Sequence, residues 1–169
     1  MVSADVDCLF CGIAAGRVPA ELVLENEHVV GFLDIRPLMK GHTLLVPRQH
    51  VVTLPELPAE LRDPFLEAGQ RLAGAMVEGL GAQGSFVAVN NTVSQSVPHL
   101  HLHVVPRTKG DGLRGFFWPR TRYAEGEAEA FGARLRSALE LPRPALRHHR
   151  DTGSTTPTSP RDPRSRSAP

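Results

Sequence analysis

The chain has 169 residues, 41% of them hydrophobic and 22% charged, which is the make-up of one ordinary globular domain. A net charge of +1 excludes a strong global pull towards nucleic acid or an anionic membrane, and no apolar run is long enough to span a bilayer. The N-terminal stretch from Met1 to Asp7 lacks the basic and apolar regions of a signal peptide, so a cytoplasmic protein with no membrane partner is expected. In chain order, a short helix is expected over Leu9 to Ala15, stopped by Gly16. Leu22 to Leu24 and Val29 to Leu33 are β-prone and flank the polar turn Glu25-Asn26-Glu27-His28, the pattern of a hairpin. Thr43-Leu44-Leu45-Val46 reads as a third strand. Asp63-Pro64 offers a helix start, an N-cap followed by Pro at the first position. Phe65, Leu72, Met76 and Leu80 continue that helix as an apolar stripe, and Gly79 and Gly81 mark its end. Ser85 to Val89 and His99 to Val105 read as the fourth and fifth strands, and Glu125 to Leu139 as a weaker helix. The expected fold is α+β: an antiparallel sheet of about five strands, one long helix and a short N-terminal helix.

Residues 1–141 are read as one domain, with a core over 5–108 and a C-terminal extension over 109–141. Residues 142–169 are rich in Pro, Ser, Thr and Arg, with almost no large apolar side chain after Leu146; disorder is expected there. That tail holds six Arg against two Asp, a surplus of +4, so the rest of the chain carries −3. A solvated tail explains this better than a nucleic-acid partner.

The densest chemistry lies in His99-Leu100-His101-Leu102-His103. On a strand, side chains alternate between faces, so Leu100, Leu102 and Val104 share one face and His99, His101 and His103 the other. Two readings follow. The imidazoles can ligate zinc around an activated water. Alternatively, one imidazole is a nucleophile while its neighbours stabilise phosphoryl oxygens and protonate a leaving group. The upstream loop, Asn90 to Pro98, is rich in amides and hydroxyls, and no Asp or Glu occurs between Ser85 and Pro106. That composition favours phosphate handling over a hydrolytic metal, which usually recruits a carboxylate. Arg107 follows as a possible positive charge for phosphate.

The run Gln95-Ser96-Val97-Pro98-His99-Leu100-His101-Leu102-His103-Val104-Val105-Pro106-Arg107 resembles the signature of the histidine triad (HIT) family. Cys8-Leu9-Phe10-Cys11, Phe32-Leu33-Asp34-Ile35-Arg36-Pro37 and the block from Gly41 to His50 are similar to family blocks in the same order, so the likeness covers about residues 7 to 107. The resemblance implies a nucleotide hydrolase or transferase acting on a purine nucleotide without an organic cofactor. In it His101 attacks the α-phosphorus to give a nucleotidyl-histidine, and water then releases the nucleoside monophosphate. His103 is implied as a phosphate hydrogen-bond partner, with Gln95 and Ser96 near phosphate and leaving group. Asn90 or its neighbour Asn91 matches the phosphate or ribose asparagine, with the register left open. Asp34 matches the acid that binds ribose hydroxyls. Leu9, Phe10, Ile13, Phe32 and Ile35 match the apolar slot around the base. A two-fold homodimer is also implied.

The cysteine pair Cys8 and Cys11, three apart in a chain expected to be cytosolic, suggests metal or redox chemistry rather than a structural disulfide. His28, His42, His50 and His99 are available as further ligands. In HIT-like proteins with this cysteine pair the remaining ligands resemble His50 and His99, which implies a structural zinc on Cys8, Cys11, His50 and His99. In that arrangement His99 is a ligand and not a free acid. Phe116-Phe117-Trp118 in the extension can cover the site, pack at a dimer interface or pack on the sheet edge. The implied substrates are nucleoside phosphoramidates or dinucleoside polyphosphates, and Pro106-Arg107 leans towards the latter. A nucleotide-binding protein with little catalysis, and a zinc-dependent hydrolase using the triad as ligands, are the alternatives.

Overall fold

The computed structural model describes residues 8–113 and 122–140. The first stretch belongs to one compact unit and the second to another. The first unit holds α1 (Leu9–Ala14), β1 (Leu22–Glu25), β2 (Val29–Leu33), β3 (Thr43–Pro47), a 3-10 turn (Leu54–Glu56), α2 (Ala59–Leu80), β4 (Gly84–Val89) and β5 (Leu102–Arg107). The second unit holds α3 (Glu127–Glu140), with Tyr123 and Phe131 rings 6.1 Å apart and the Arg134 guanidinium over Phe131. The expected aromatic segment 116–118 and the tail from 142 onward lie outside the described residues.

The strands form one sheet in the order β1-β2-β3-β5-β4, every neighbouring pair antiparallel. The β1–β2 hairpin turns where expected, because the Asn26 carboxamide oxygen accepts the His28 and Val29 N–H groups. Arg48, just past β3, donates to the carbonyls of Asn26 and Ala14 and to Glu25, tying the hairpin to the end of α1.

Alternation along the strands gives the sheet two buried faces. On one, Val29, Leu45, Leu100 and Val104 pack with Leu61, Phe65, Leu72 and Met76 of α2. On the other, Val30, Phe32, Leu44 and Val46 pack with Phe10, Ile13 and Ala14 of α1. Gly69 lets α2 sit close on the sheet: a Cβ there would meet Leu102 Cδ2 at 2.8 Å.

Two element starts differ most from the sequence reading. The long helix begins at Ala59, not at Asp63-Pro64, and Pro64 lies inside it. Burial of Leu57 and Leu61 in the core favours an earlier start, which outweighs the hydrogen bond that Pro64 cannot make. The helix ends on Gly81 in the left-handed region, φ 67°, and Leu80 is exposed rather than part of the stripe. The last strand begins at Leu102, not His99. The β3 register would set Leu100 against Pro47, which has no N–H to give, and residues 98–101 are held by separate bonds. Among these are Leu100 N–H to the Val51 carbonyl at 2.6 Å and His99 N–H to the Val97 carbonyl at 2.8 Å.

Candidate active site and an adjoining metal-ligand cluster

The three histidines keep to the α1 face although only His103 lies within a strand. Leu44 of β3 pairs with His103 of β5, and the Phe10 ring meets the His101 ring edge-on at 5.3 Å. His101 is buried, and its Nδ1 lies 2.7 Å from the backbone carbonyl of His99. A carbonyl only accepts, so Nδ1 carries the proton and donates. The Nε2 lone pair is thereby left for chemistry.

His103 is held differently. Its Nδ1 is 3.0 Å from His42 Nε2, and its own Nε2 is buried with no partner among the described residues. His42 is almost wholly buried, and its Nδ1 accepts the Leu38 N–H at 3.2 Å. That backbone donor places the His42 proton on Nε2, which donates to His103 Nδ1, and the His103 proton then sits on Nε2. The outcome is one buried N–H with no partner among the described residues. Burial pushes the His103 imidazole down to about 4, with the neighbouring His101 and His42 adding to the effect. Burial also lowers His42, although Asp34 opposes the shift. The Asp34 carboxylate lies 3.4 Å from His42 Nδ1 and, with the ring neutral and Nδ1 accepting from Leu38, makes no ion pair with it.

His42 belongs to the site, and the sequence reading considered it only as a metal ligand. Parity would have found it: His42, Leu44 and Val46 alternate onto the α1 face, the face of the triad. Asp34 is half-buried, with one oxygen accepting the Arg36 N–H at 2.8 Å. Of the two asparagines, Asn91 is committed to the fold, its oxygen accepting the Leu54 N–H at 2.8 Å. The Asn90 side chain is half-buried and makes no hydrogen bond among the described residues. Gln95 is tied to Thr92, Val52 and His99, and Ser96 is exposed. Phe10, Ile13 and Phe32 form one buried apolar cluster, whereas Leu9 and Ile35 are exposed. Arg107 is not free for phosphate. Its guanidinium grips Asp111 at 2.6 and 3.1 Å and also bonds the Leu113 carbonyl. The Arg107 bond holds the Asp111 carboxyl down at about 2, so the pair stays ionised.

Cys8, Cys11, His50 and His99 converge, with one ligand atom of each within 4.8 Å of all the others. Cys8 Sγ and Cys11 Sγ lie 3.4 and 3.5 Å from His99 Nδ1, and Cys11 Sγ lies 3.2 Å from His50 Nδ1. Zinc–sulfur and zinc–nitrogen bonds of about 2.3 and 2.05 Å give a tetrahedral S···N edge of about 3.6 Å, so the set fits such an ion. His99 Nε2 donates to the Pro47 carbonyl at 2.9 Å, as a ligating histidine does with its second nitrogen. Burial holds His99 down at about 4, in the neutral form a metal needs. Of the three histidines in the run, only His99 falls in this group, which counts against a metal held by the whole triad.

A profile of the HIT domain matches residues 15–110. The chain belongs to the HIT family. An uncharacterized HIT-like protein of Methanocaldococcus jannaschii is 41% identical over 107 residues, 62% of this chain and 82% of that protein. An adenosine 5'-monophosphoramidase of Schizosaccharomyces pombe is 29% identical over 137 residues, 80% of this chain and all of that one. The crystal structure of a zinc-bound histidine triad family protein from Mycobacterium smegmatis is 41% identical, with a TM-score of 0.61, and covers 78% of this chain and 97% of its own. In the HIT domain described here no helix among the described residues is long and apolar enough to cross a membrane.

Proposed function

We propose that this HIT protein cleaves a purine nucleoside 5'-phosphoramidate at the α-phosphorus by nucleophilic catalysis. The observation that carries this reading is His101, whose Nδ1–H is fixed on the His99 carbonyl while Nε2 keeps its lone pair. In the first step Nε2 bonds to phosphorus, the P–N bond to the leaving group breaks, and the departing amine takes up a proton from solvent water. In the second, water attacks phosphorus, the P–Nε2 bond breaks, the proton of the attacking water passes to solvent, and the nucleoside monophosphate leaves. The unpartnered His103 Nε2–H suits a non-bridging phosphate oxygen, where a donor needs no reorganisation as charge develops. His42 sets that donor by holding the His103 tautomer. Asn90 suits phosphate or ribose, Ser96 the leaving group, and Asp34 the ribose hydroxyls. Phe10, Ile13 and Phe32 suit the floor of the base slot, with Leu9 and Ile35 at its rim.

Cys8, Cys11, His50 and His99 would hold a structural zinc. When bound, it would supply no reacting group but would pin α1 to the triad through His99. The commitment of Arg107 to Asp111 removes the feature that leaned towards dinucleoside polyphosphates. The relative in Schizosaccharomyces pombe named as a phosphoramidase supports the phosphoramidate.

The test is turnover of adenosine 5'-phosphoramidate by wild type and His101→Ala, each with and without chelator. Loss of roughly 10⁴-fold or more in His101→Ala is expected, with wild-type turnover continuing in chelator under folding conditions. Full activity in His101→Ala would refute the mechanism. A second copy of the chain is the proposed partner, and sedimentation equilibrium reads it directly.

A further inference from the structure

Between β4 and β5 the chain runs from Asn90 to His101 outside the ladder, so its backbone groups find partners one by one. Gln95 supplies several of them. Its amide nitrogen lies 2.7 Å from the Val52 carbonyl and 3.3 Å from the His99 carbonyl. Its amide oxygen accepts the Thr92 N–H at 2.9 Å. These partners fix which end of the amide is which, since a carbonyl only accepts and an N–H only donates. Both amide protons are thus directed at backbone oxygens.

Two consequences meet at this side chain. The His99 carbonyl that Gln95 bonds is the one that takes the His101 Nδ1–H. The Thr92 that Gln95 holds is also strained. Its φ is 68°, and the Val93 N–H bonds back to the Asn91 carbonyl at 2.8 Å, a γ-turn that a β-branched residue rarely adopts. Such strain persists only where the surroundings over-determine it. Gln95 does so from both sides, because its own N–H also reaches the Thr92 carbonyl at 3.4 Å.

We propose that Gln95 is a positioning residue that acts through the His99 carbonyl, locking the loop of Asn90 and Ser96 and the tautomer of His101 into one unit, and that it does not touch the nucleotide. This rests on His101 being the nucleophile. Attack on phosphorus needs the lone pair on Nε2, hence the proton on Nδ1, hence a carbonyl that stays aimed at Nδ1. A carbonyl has two lone pairs, so it serves the imidazole and the amide together. Without the amide donors that carbonyl is free to turn, and the other tautomer of His101 becomes populated. The family likeness points to Gln95 as a ligand contact, whereas its amide is already spent on the fold.

The experiment uses the full-length, zinc-loaded protein with Gln95→Glu and Gln95→Ala. The glutamate keeps an oxygen for the Thr92 N–H but has no proton for the two carbonyls. Three quantities are read: kcat and KM for adenosine 5'-phosphoramidate, the AMP Kd by calorimetry, and the ¹⁵N shifts of the His101 ring nitrogens. A fall in kcat of about tenfold or more is expected in both variants, with KM and AMP Kd changing less than about twofold. The ring shifts should move from the Nδ1-protonated pattern to an average of two tautomers. An AMP affinity that weakens in step with kcat, with the ring shifts unchanged, would overturn the proposal and make Gln95 a ligand contact. Unchanged kcat and unchanged shifts would overturn it too. If neither variant folds, wild type decides: the Gln95 side-chain amide protons should exchange with solvent at least about tenfold more slowly than those of an exposed glutamine, and fast exchange sinks the idea. A wild type that does not turn over would sink the catalytic reading alone, since the ring shifts and AMP affinity still report on Gln95.

Discussion

Under α2 the sheet is closed by hydrocarbon: Val29, Leu45, Leu100 and Val104 are withdrawn from water among Phe65, Leu72 and Met76. Under α1 the same sheet buries His42, His99 and His101 beside Phe10, Phe32 and Leu44. Apolar burial stabilises in proportion to area, whereas a buried imidazole costs stability unless each nitrogen finds a partner. On the α1 face most of these nitrogens have found one; among the described residues His103 Nε2 is buried without a partner, and His101 Nε2 keeps its lone pair. The two faces therefore do different work. One sets how stable the HIT domain is, and the other holds polar groups in arrangements that a substrate or a metal completes.

The largest expected effect breaks this comparison on the apolar side. Leu45→Ala removes a fully buried side chain, and a loss of about 2–5 kcal/mol of folding stability is expected from urea denaturation. AMP affinity of the folded variant should stay near that of wild type. A loss below about 1 kcal/mol would mean that the α2 face collapses around the gap and is not the main source of stability. The next effect lies at the joint of the α1 face. Cys8→Ser/Cys11→Ser should abolish stoichiometric zinc and lower Tm by roughly 5–10 °C. Chelator should lower the wild-type Tm by a similar amount and leave the variant unmoved. Equal zinc content in the two proteins would remove the metal from the account.

The same division explains what was legible in the sequence. Strands β1 to β4 and the division of their side chains between two faces follow from alternation and turn residues, both local signals. The start of α2 at Ala59 did not follow, because a local rule about Pro64 competes with tertiary burial of Leu57 and Leu61. His99 and His101 kept their face while losing their strand, since side-chain parity survives where the ladder stops. The candidate metal-ligand group of Cys8, Cys11, His50 and His99 joins residues up to 91 positions apart, and family likeness, not spacing, assembled it. The role of His42 was readable in its parity with Leu44 and Val46. The commitments of Arg107 to Asp111 and of Gln95 to three backbone groups were not readable, because they depend on loop geometry.

A smaller effect sharpens the comparison on the polar side. His103→Asn keeps an acceptor for His42 Nε2 and removes the unpartnered donor. A fall in kcat of about 10²–10³-fold is expected, the cost of one preorganised donor, with little change in urea stability. A variant that loses stability but keeps its rate would show His103 to be a structural histidine.

The smallest effect is a slope against pH, and its sign separates the two faces. His103 ordinarily titrates near 6.5, but in the folded domain burial holds it at about 4. Between those values the unfolded chain binds a proton that the folded chain refuses, so stability falls as pH falls. The contribution of the neutral ring is fully present above about pH 6.5, declines through the window and levels off below about 4. His99 has the same direction and value, so the measurement belongs on metal-free protein, where proton competition for the ligands does not add to the slope. Asp111 does not confuse the reading, since the Arg107 bond holds it down at about 2 and its own window lies lower. Thermal denaturation in chelator at several pH values from 7.5 down to 4.5 reads the slope. Leu45→Ala should lower the whole Tm curve and leave its slope alone, because the side chain it removes carries no titratable group. His103→Asn should flatten the curve, because one refused proton is gone. Parallel curves for wild type and His103→Asn would mean that His103 takes up its proton equally in both states, and the buried, unpartnered donor would no longer stand as the feature that distinguishes the α1 face.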